Sequence, residues 1–150
     1  MRKATVDAVE PQGKGRRKQA MKDQGGSWIQ GISTIGIPVT DQVAALGFYR
    51  DILGFDVLVD APMPGTLGRW IMLAPHGSEV SISLVLADTG MAVGVQTGIR
   101  FSTGDVEATY LWLNRHHVPV GELLRWPGVL PMFQAQDPDG NRFEVIEVPR

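Results

Sequence analysis

From Ser33 onward the chain alternates in a regular way. Thr34-Ile35-Gly36-Ile37-Pro38-Val39 sets large apolar residues against small or polar ones at period two, which predicts a strand with one buried face. Thr40-Asp41 then offers an N-cap, Val43, Ala45/Leu46, Tyr49 and Ile52/Leu53 recur at helical spacing, and Gly54 supplies the helix C-terminus. Three more strands are predicted at Phe55–Val59, Arg69–Leu73 and Val80–Leu86, separated by the loop Pro62-Met63-Pro64-Gly65 and the turn Pro75-His76-Gly77. The order is β-α-β-β-β.

That order then restarts. Gly98–Thr103 reads as a strand, and Asp105 caps a helix carrying Val106, Tyr110 and Leu113. Val118-Pro119-Val120 and the interrupted strand or loop Leu124–Val129 follow. Met132–Gln136 and Arg142–Val148 flank Asp137-Pro138-Asp139-Gly140-Asn141, a hairpin turn by its residue types. At an offset of 64 the halves superpose, Ile35 on Ile99, Ile37 on Phe101, Asp41 on Asp105, Ala44 on Ala108 and Tyr49 on Leu113. This is the pattern of an internal duplication. Module one spans about 31–88, a linker about 89–96, and module two about 97–148.

Composition changes the picture at the N-terminus. The formal charge of −2 conceals a leader, residues 1–30, with seven basic and three acidic residues, joined to a body, residues 31–150, with seven basic and thirteen acidic ones. Every lysine lies in the first 22 positions. A polar, Gly/Pro-containing leader without apolar periodicity cannot offset its ordering entropy, so it is expected to be disordered. Its Lys14–Lys18 run is a weak nucleic-acid signal, and no nucleic-acid partner is expected. No secretory signal and no membrane-length apolar run occur, which points to a cytoplasmic protein without a membrane partner. The absence of cysteine excludes disulfides, thiolate metal sites and a thiol nucleophile.

The chain resembles the vicinal oxygen chelate superfamily, which includes glyoxalase I, extradiol dioxygenases and bleomycin-resistance proteins. The residues that carry the likeness are Gly36-Ile37-Pro38-Val39-Thr40-Asp41, Phe48-Tyr49-Arg50-Asp51-Ile52-Leu53-Gly54-Phe55, and Asp137-Pro138-Asp139-Gly140-Asn141 with Glu144. The resemblance covers about residues 31–148. It implies an α+β fold of two tandem βαβββ modules forming a curled, cup-shaped mixed sheet, with helices on the outer face, and a homodimer. The alternation assigns faces independently. Ile35/Ile37/Val39, Ile82/Leu84/Leu86, Ile99/Phe101 and Phe143/Val145 should face the helices. Thr34/Gly36, Ser81/Ser83, Gly98/Arg100/Ser102 and Glu144/Ile146 should line the cup.

Metal-using members of the family place four ligands on the first and last strand of each module. Carried over, these positions hold Thr34, Ser83, Gly98 and Glu144, of which only Glu144 is a strong donor. His76 falls in a turn, and His116-His117 end the second helix. No cofactor is therefore predicted, with a divalent metal kept open as the alternative. The cup offers other chemistry. An inward Arg100 suits a planar carboxylate or phosphate, or else forms an internal ion pair with Glu144. Glu144 is a weak candidate for a general acid or base, with simple hydrogen bonding as the competing role. Across the turn Gln134 falls opposite Glu144, and Met132 opposite Ile146. Trp70, Met72 and Trp126 add an apolar, partly aromatic wall, or else pack an edge or an interface.

The candidate ligand-binding set is thus Thr34, Trp70, Met72, Ser83, Arg100, Trp126, Met132, Gln134 and Glu144. Three functions compete. One is a small-molecule binding protein of the glyoxalase/bleomycin-resistance type, holding an aromatic or amphipathic ligand with a degenerate metal site. Another is a glyoxalase- or dioxygenase-like enzyme with a non-standard metal site. The third is a structural module whose cup is filled by its own side chains. Ligand charge stays open, because Arg100 suits anions while the acidic body attracts cations.

Overall fold

The computed structural model describes residues 28–88 and 90–149, so most of the basic leader, with Lys14–Lys18, lies outside the described residues. The chain divides into two units, residues 1–32 and 33–150. Of the first, residues 28–32 are described and form neither helix nor strand. The second carries both modules.

Module one begins with β1 (Thr34–Val39) and α1 (Gln42–Gly47). Asp41 caps α1, its Oδ1 accepting from Val43 N at 2.9 Å and Ala44 N at 3.0 Å. The expected helix runs on to Leu53, but not as regular α-helix. It widens into a π-helical turn at Phe48–Ile52, closed by Leu53 N donating to Phe48 O at 3.1 Å. The wider turn turns two consecutive aromatic side chains inward, so Phe48 and Tyr49 are both buried. Val43 was expected on the apolar stripe but is 70% exposed, and Gln42 is buried in its stead. The capped first turn presents Gln42 to strand ends that need hydrogen bonds.

β2 (Asp56–Pro62), β3 (Arg69–Ala74) and β4 (Ser81–Leu86) complete the module. The strand order is β1-β4-β3-β2, with β1 and β4 parallel and the other pairs antiparallel. Module two repeats it. β5 (Gln96–Thr103) leads into α2 (Val106–Arg115), capped by Asp105, and β6 (Met132–Gln136) and β7 (Arg142–Glu147) follow, in the order β5-β7-β6. The bridges Val120–Ala135 and Leu124–Met132 run along the free side of β6. Residues 120–124 therefore stand where β2 stands in module one. Pro119 and Gly121 leave this stretch two bridges rather than a ladder. Beyond it, Trp126–Val129 is a turn closed by Val129 N and Trp126 O at 3.1 Å.

One core serves both modules. Ile37, Val39, Ile82 and Leu84 from the first sheet and Ile99, Phe143 and Val145 from the second are buried in it together. Aromatic edges cross between modules, with ring centroids of Phe55 and Phe101 at 5.1 Å and of Phe48 and Phe143 at 6.3 Å. Each fully buried Phe contributes roughly 1.5–3 kcal/mol by burial.

The Asp137–Asn141 turn locks this arrangement. Asn141, fully buried, donates from Nδ2 to Pro38 O at 2.7 Å and to Asp137 Oδ2 at 2.9 Å, and its Oδ1 accepts from Val95 N at 3.1 Å. Tyr49 Oη donates to Asp137 Oδ2 at 3.0 Å, and Thr40 N donates to Asp139 Oδ1 at 3.1 Å. Burial, and next the Asp137 carboxylate, hold the Tyr49 phenol far above the ordinary tyrosine range.

Candidate functional site

A cavity of about 600 Å³ opens at one end of the first sheet. It exists because two strands part. β3 and β4 pair at Met72–Ser83 and Leu73–Ile82, and no further pairing joins them toward Arg69 and Leu86. Gln42 spans the gap: Nε2 donates to Arg69 O at 2.8 Å and Leu84 O at 2.7 Å, while Oε1 accepts from Arg69 N at 2.9 Å. The side-chain amide thus replaces the missing ladder bonds, and backbone groups that would otherwise resist burial are satisfied.

Two loops close over the opening. The β2–β3 hairpin loop is held by Met63 N to Gly68 O at 3.2 Å and Thr66 N to Met63 O at 3.3 Å. Gly68 lies against β4, where a Cβ built on it would meet Leu86 Cβ in ordinary contact at 3.4 Å. After β4, Ala87 N donates to Val39 O at 2.8 Å, and the chain turns through Asp88 to Met91. The wall is mainly apolar, with Met63, Leu67, Trp70, Val85 and Met91 prominent. Leu67 is 100% exposed and Trp70 43% exposed, a large apolar expenditure for a loop tip and a strand end.

Of the nine residues proposed from sequence, Trp70 and Ser83 line this cavity, and Met72 is the register partner of Ser83. Thr34 lies on β1 opposite Ser81, and its Oγ1 is buried without a hydrogen-bond partner. Arg100, Met132, Gln134 and Glu144 lie on the second sheet, away from the lining. There the β6–β7 register is the one expected, with Gln134 opposite Glu144 and Met132 opposite Ile146, and the parallel pairing of β5 with β7 sets Arg100 opposite Glu144 on the other side. Arg100 pairs with Glu144 through Nε and Oε2. Trp126 is exposed on its turn. Sequence reasoning missed Gln42, Arg69, Asp88 and Met91. The 62–65 loop and the linker were legible as loops, but nothing in their residue types says that they converge.

The four positions at which the family's metal users carry ligands do not suit a metal here. Gly98 has no donor, Thr34 and Ser83 offer hydroxyls, and the Glu144 carboxylate is engaged by a guanidinium whose charge opposes a cation. His76 pairs with Asp56 at 2.8 Å, and His116 Nδ1 meets Trp112 O at 2.9 Å. Among the described residues no three His, Asp or Glu side chains group as metal ligands. No step of chemistry can be routed through a metal at these positions.

Two βαβββ modules around a shared core, with a cavity at one sheet end, define a two-module α+β protein. The chain belongs to the glyoxalase/bleomycin resistance protein/dioxygenase superfamily, whose model matches residues 31–145. It is similar to the crystal structure of TnmS3, an antibiotic binding protein from Streptomyces sp. CB03234, at 33% identity and a TM-score of 0.72, covering 83% of this chain and 99% of that one. It is 32% identical to the uncharacterized protein YetH of Bacillus subtilis (strain 168) over 79% of this chain and 99% of YetH. It is 29% identical to the metallothiol transferase FosB of Staphylococcus epidermidis over 63% of this chain and 66% of FosB. Among the described residues no helix is long and apolar enough to cross a membrane.

Proposed function

We propose that this protein binds a small, largely apolar aromatic molecule in the cavity bordered by Trp70, without a metal, and that it acts as a binding protein rather than a catalyst. One observation carries the reading: a cavity of about 600 Å³ whose wall is apolar apart from a few polar groups, with a half-exposed tryptophan at its border. That size and character match small-molecule sites in general. The likeness to an antibiotic binding protein at 33% identity supports it. The donor set at the metal-equivalent positions speaks against a metal-dependent reaction.

The proposal includes a homodimer. Trp126, Val129 and Leu130 are exposed together on one turn of module two, an apolar surface that a second copy would cover. Sedimentation equilibrium of the protein and of Trp126→Ser tests this, with a weaker dimer expected for the variant.

The binding reading is tested by tryptophan fluorescence against a library of planar aromatic compounds. Saturable quenching that disappears in Trp70→Phe is the expected result. A library without a saturable hit, or hits indifferent to Trp70→Phe, would overturn it.

A further inference from the structure

The charge of the ligand can be read from which polar groups in the cavity wall are already spoken for. Besides Trp70, five polar residues belong to the lining: Gln42, Thr66, Arg69, Ser83 and Asp88. The Gln42 amide is used up on Arg69 and Leu84 backbone atoms, as described above. The Thr66 hydroxyl is held by the loop's own carbonyls, Met63 O at 3.3 Å and Gly68 O at 3.5 Å. The Arg69 guanidinium, the one cation among the described lining residues, is paired with Asp60, with Nη2 at 2.6 Å and Nε at 2.8 Å from Oδ1. Arg100, the anion anchor suggested by the sequence, is paired with Glu144 on the other sheet.

Two groups remain. The Ser83 hydroxyl and the Asp88 carboxylate have no hydrogen bond or ion pair to any described residue. Asp88 stands two residues beyond the end of β4, and its carboxylate is the charge of the lining that no described residue pairs. The same lining carries the Trp70 indole and two thioethers, Met63 and Met91, groups that attract a cation and adapt to its outline. The surplus of acids in residues 31–150 draws the same sign of ligand from solution.

We infer that the cavity selects a planar organic cation, its ring against Trp70, its protonated nitrogen on Asp88 and the Ser83 hydroxyl available as a hydrogen-bond partner. This rests on the proposed binding function and assigns the ligand's charge, which that function leaves open.

The test titrates the full-length protein with three planar tricyclic probes of similar size: proflavine as the cation, fluorenone as the neutral compound and anthracene-9-carboxylate as the anion. The expected order is cation, then neutral, then anion. Asp88→Asn, a change at an exposed side chain without a partner, should weaken proflavine by about tenfold, the scale of one charge-assisted hydrogen bond, and leave fluorenone unchanged. Asp60→Asn frees Arg69 and should shift the preference toward the anion. Fluorenone binding with no preference for proflavine, or proflavine affinity indifferent to both substitutions, overturns the charge assignment while the binding function stands. If no probe of any charge binds, both fall.

Discussion

Arg100 and Glu144 sit opposite one another in the parallel ladder of β5 and β7, and Nε of the arginine donates to Oε2 of the glutamate at 2.5 Å. The pair joins neighbouring strands of a sheet face open to water, with the arginine side chain 63% exposed and the glutamate 27%. Exposed pairs of this kind contribute little. A double-mutant cycle of Arg100→Ala and Glu144→Ala, followed by urea unfolding, should give a coupling of roughly 0.2–1 kcal/mol. Arg100→Ala should leave the affinity of a ligand in the Trp70 cavity unchanged. A large loss there would extend the site onto the second sheet.

Tyr49 links pH to stability. Its phenol is held protonated by burial and by the Asp137 carboxylate, so its folded pKa lies above the unfolded value. A raised pKa contributes stability that is whole below the unfolded pKa, near 10, and is lost as pH rises beyond it, because only the unfolded state releases the proton. The unfolding free energy should therefore fall steeply above about pH 10. Tyr49→Phe should flatten that slope and, at neutral pH, cost about 1.5–3 kcal/mol for the lost bond to a carboxylate. Chemical denaturation at several pH values measures both.

Asn141 is the most exacting side chain in the turn, since its amide serves Pro38, Val95 and Asp137 at once. Asn141→Ala leaves the partly buried Pro38 carbonyl and Val95 N–H without their partner and the buried Asp137 carboxylate short of a donor, and should cost more than about 2 kcal/mol. Asn141→Asp should cost more still, because it sets a carboxylate against Asp137 and against the Pro38 carbonyl. Equality of the two variants in urea unfolding would refute this account of the clasp.

Gln42 holds open the parted ends of β3 and β4. Gln42→Leu should destabilise by about 1–3 kcal/mol through the orphaned backbone groups. It should also abolish ligand binding at concentrations where the fold persists. Gln42→Glu keeps the acceptor for Arg69 N but turns a carboxylate toward two carbonyls, so burial and those carbonyls should raise its pKa. Stability of that variant should rise as pH falls and the carboxyl regains a donor. Thermal melts across acidic pH, compared with the unsubstituted protein, check the sign.

Much of the fold is legible in the chain because local signals agree with one another. Asp41 and Asp105, the same distance into each repeat, both cap helices, and the alternation of β1, β4, β5 and β7 assigns apolar positions that the core contains or packs on it, save Leu86, which lines the cavity. The Asp137–Asn141 hairpin sets the register of β6 on β7 by its length alone. Where the local signals fail, a long-range partner has overruled them. Val43 faces water because Gln42 is needed by strands 27 and 42 positions away, and the helix opens into a π turn that buries Phe48 and Tyr49 side by side.

The candidate site divides in the same way. Periodicity set Trp70 and Met72 at the border of the expected cup and turned Ser83, Arg100 and Glu144 toward its inside. It left open whether Arg100 would meet a ligand or pair with Glu144, and it could not show that Arg69 would pair with Asp60, since those outcomes depend on distances across a sheet. By itself the sequence determined a duplicated α+β fold and most of its buried positions. Only the tertiary structure decided where the cavity lies and which charges remain in it. The reason is physical: strand and helix patterns are set by residues a few positions apart, whereas a cavity arises where strands part, loops converge and each polar group has or lacks a partner.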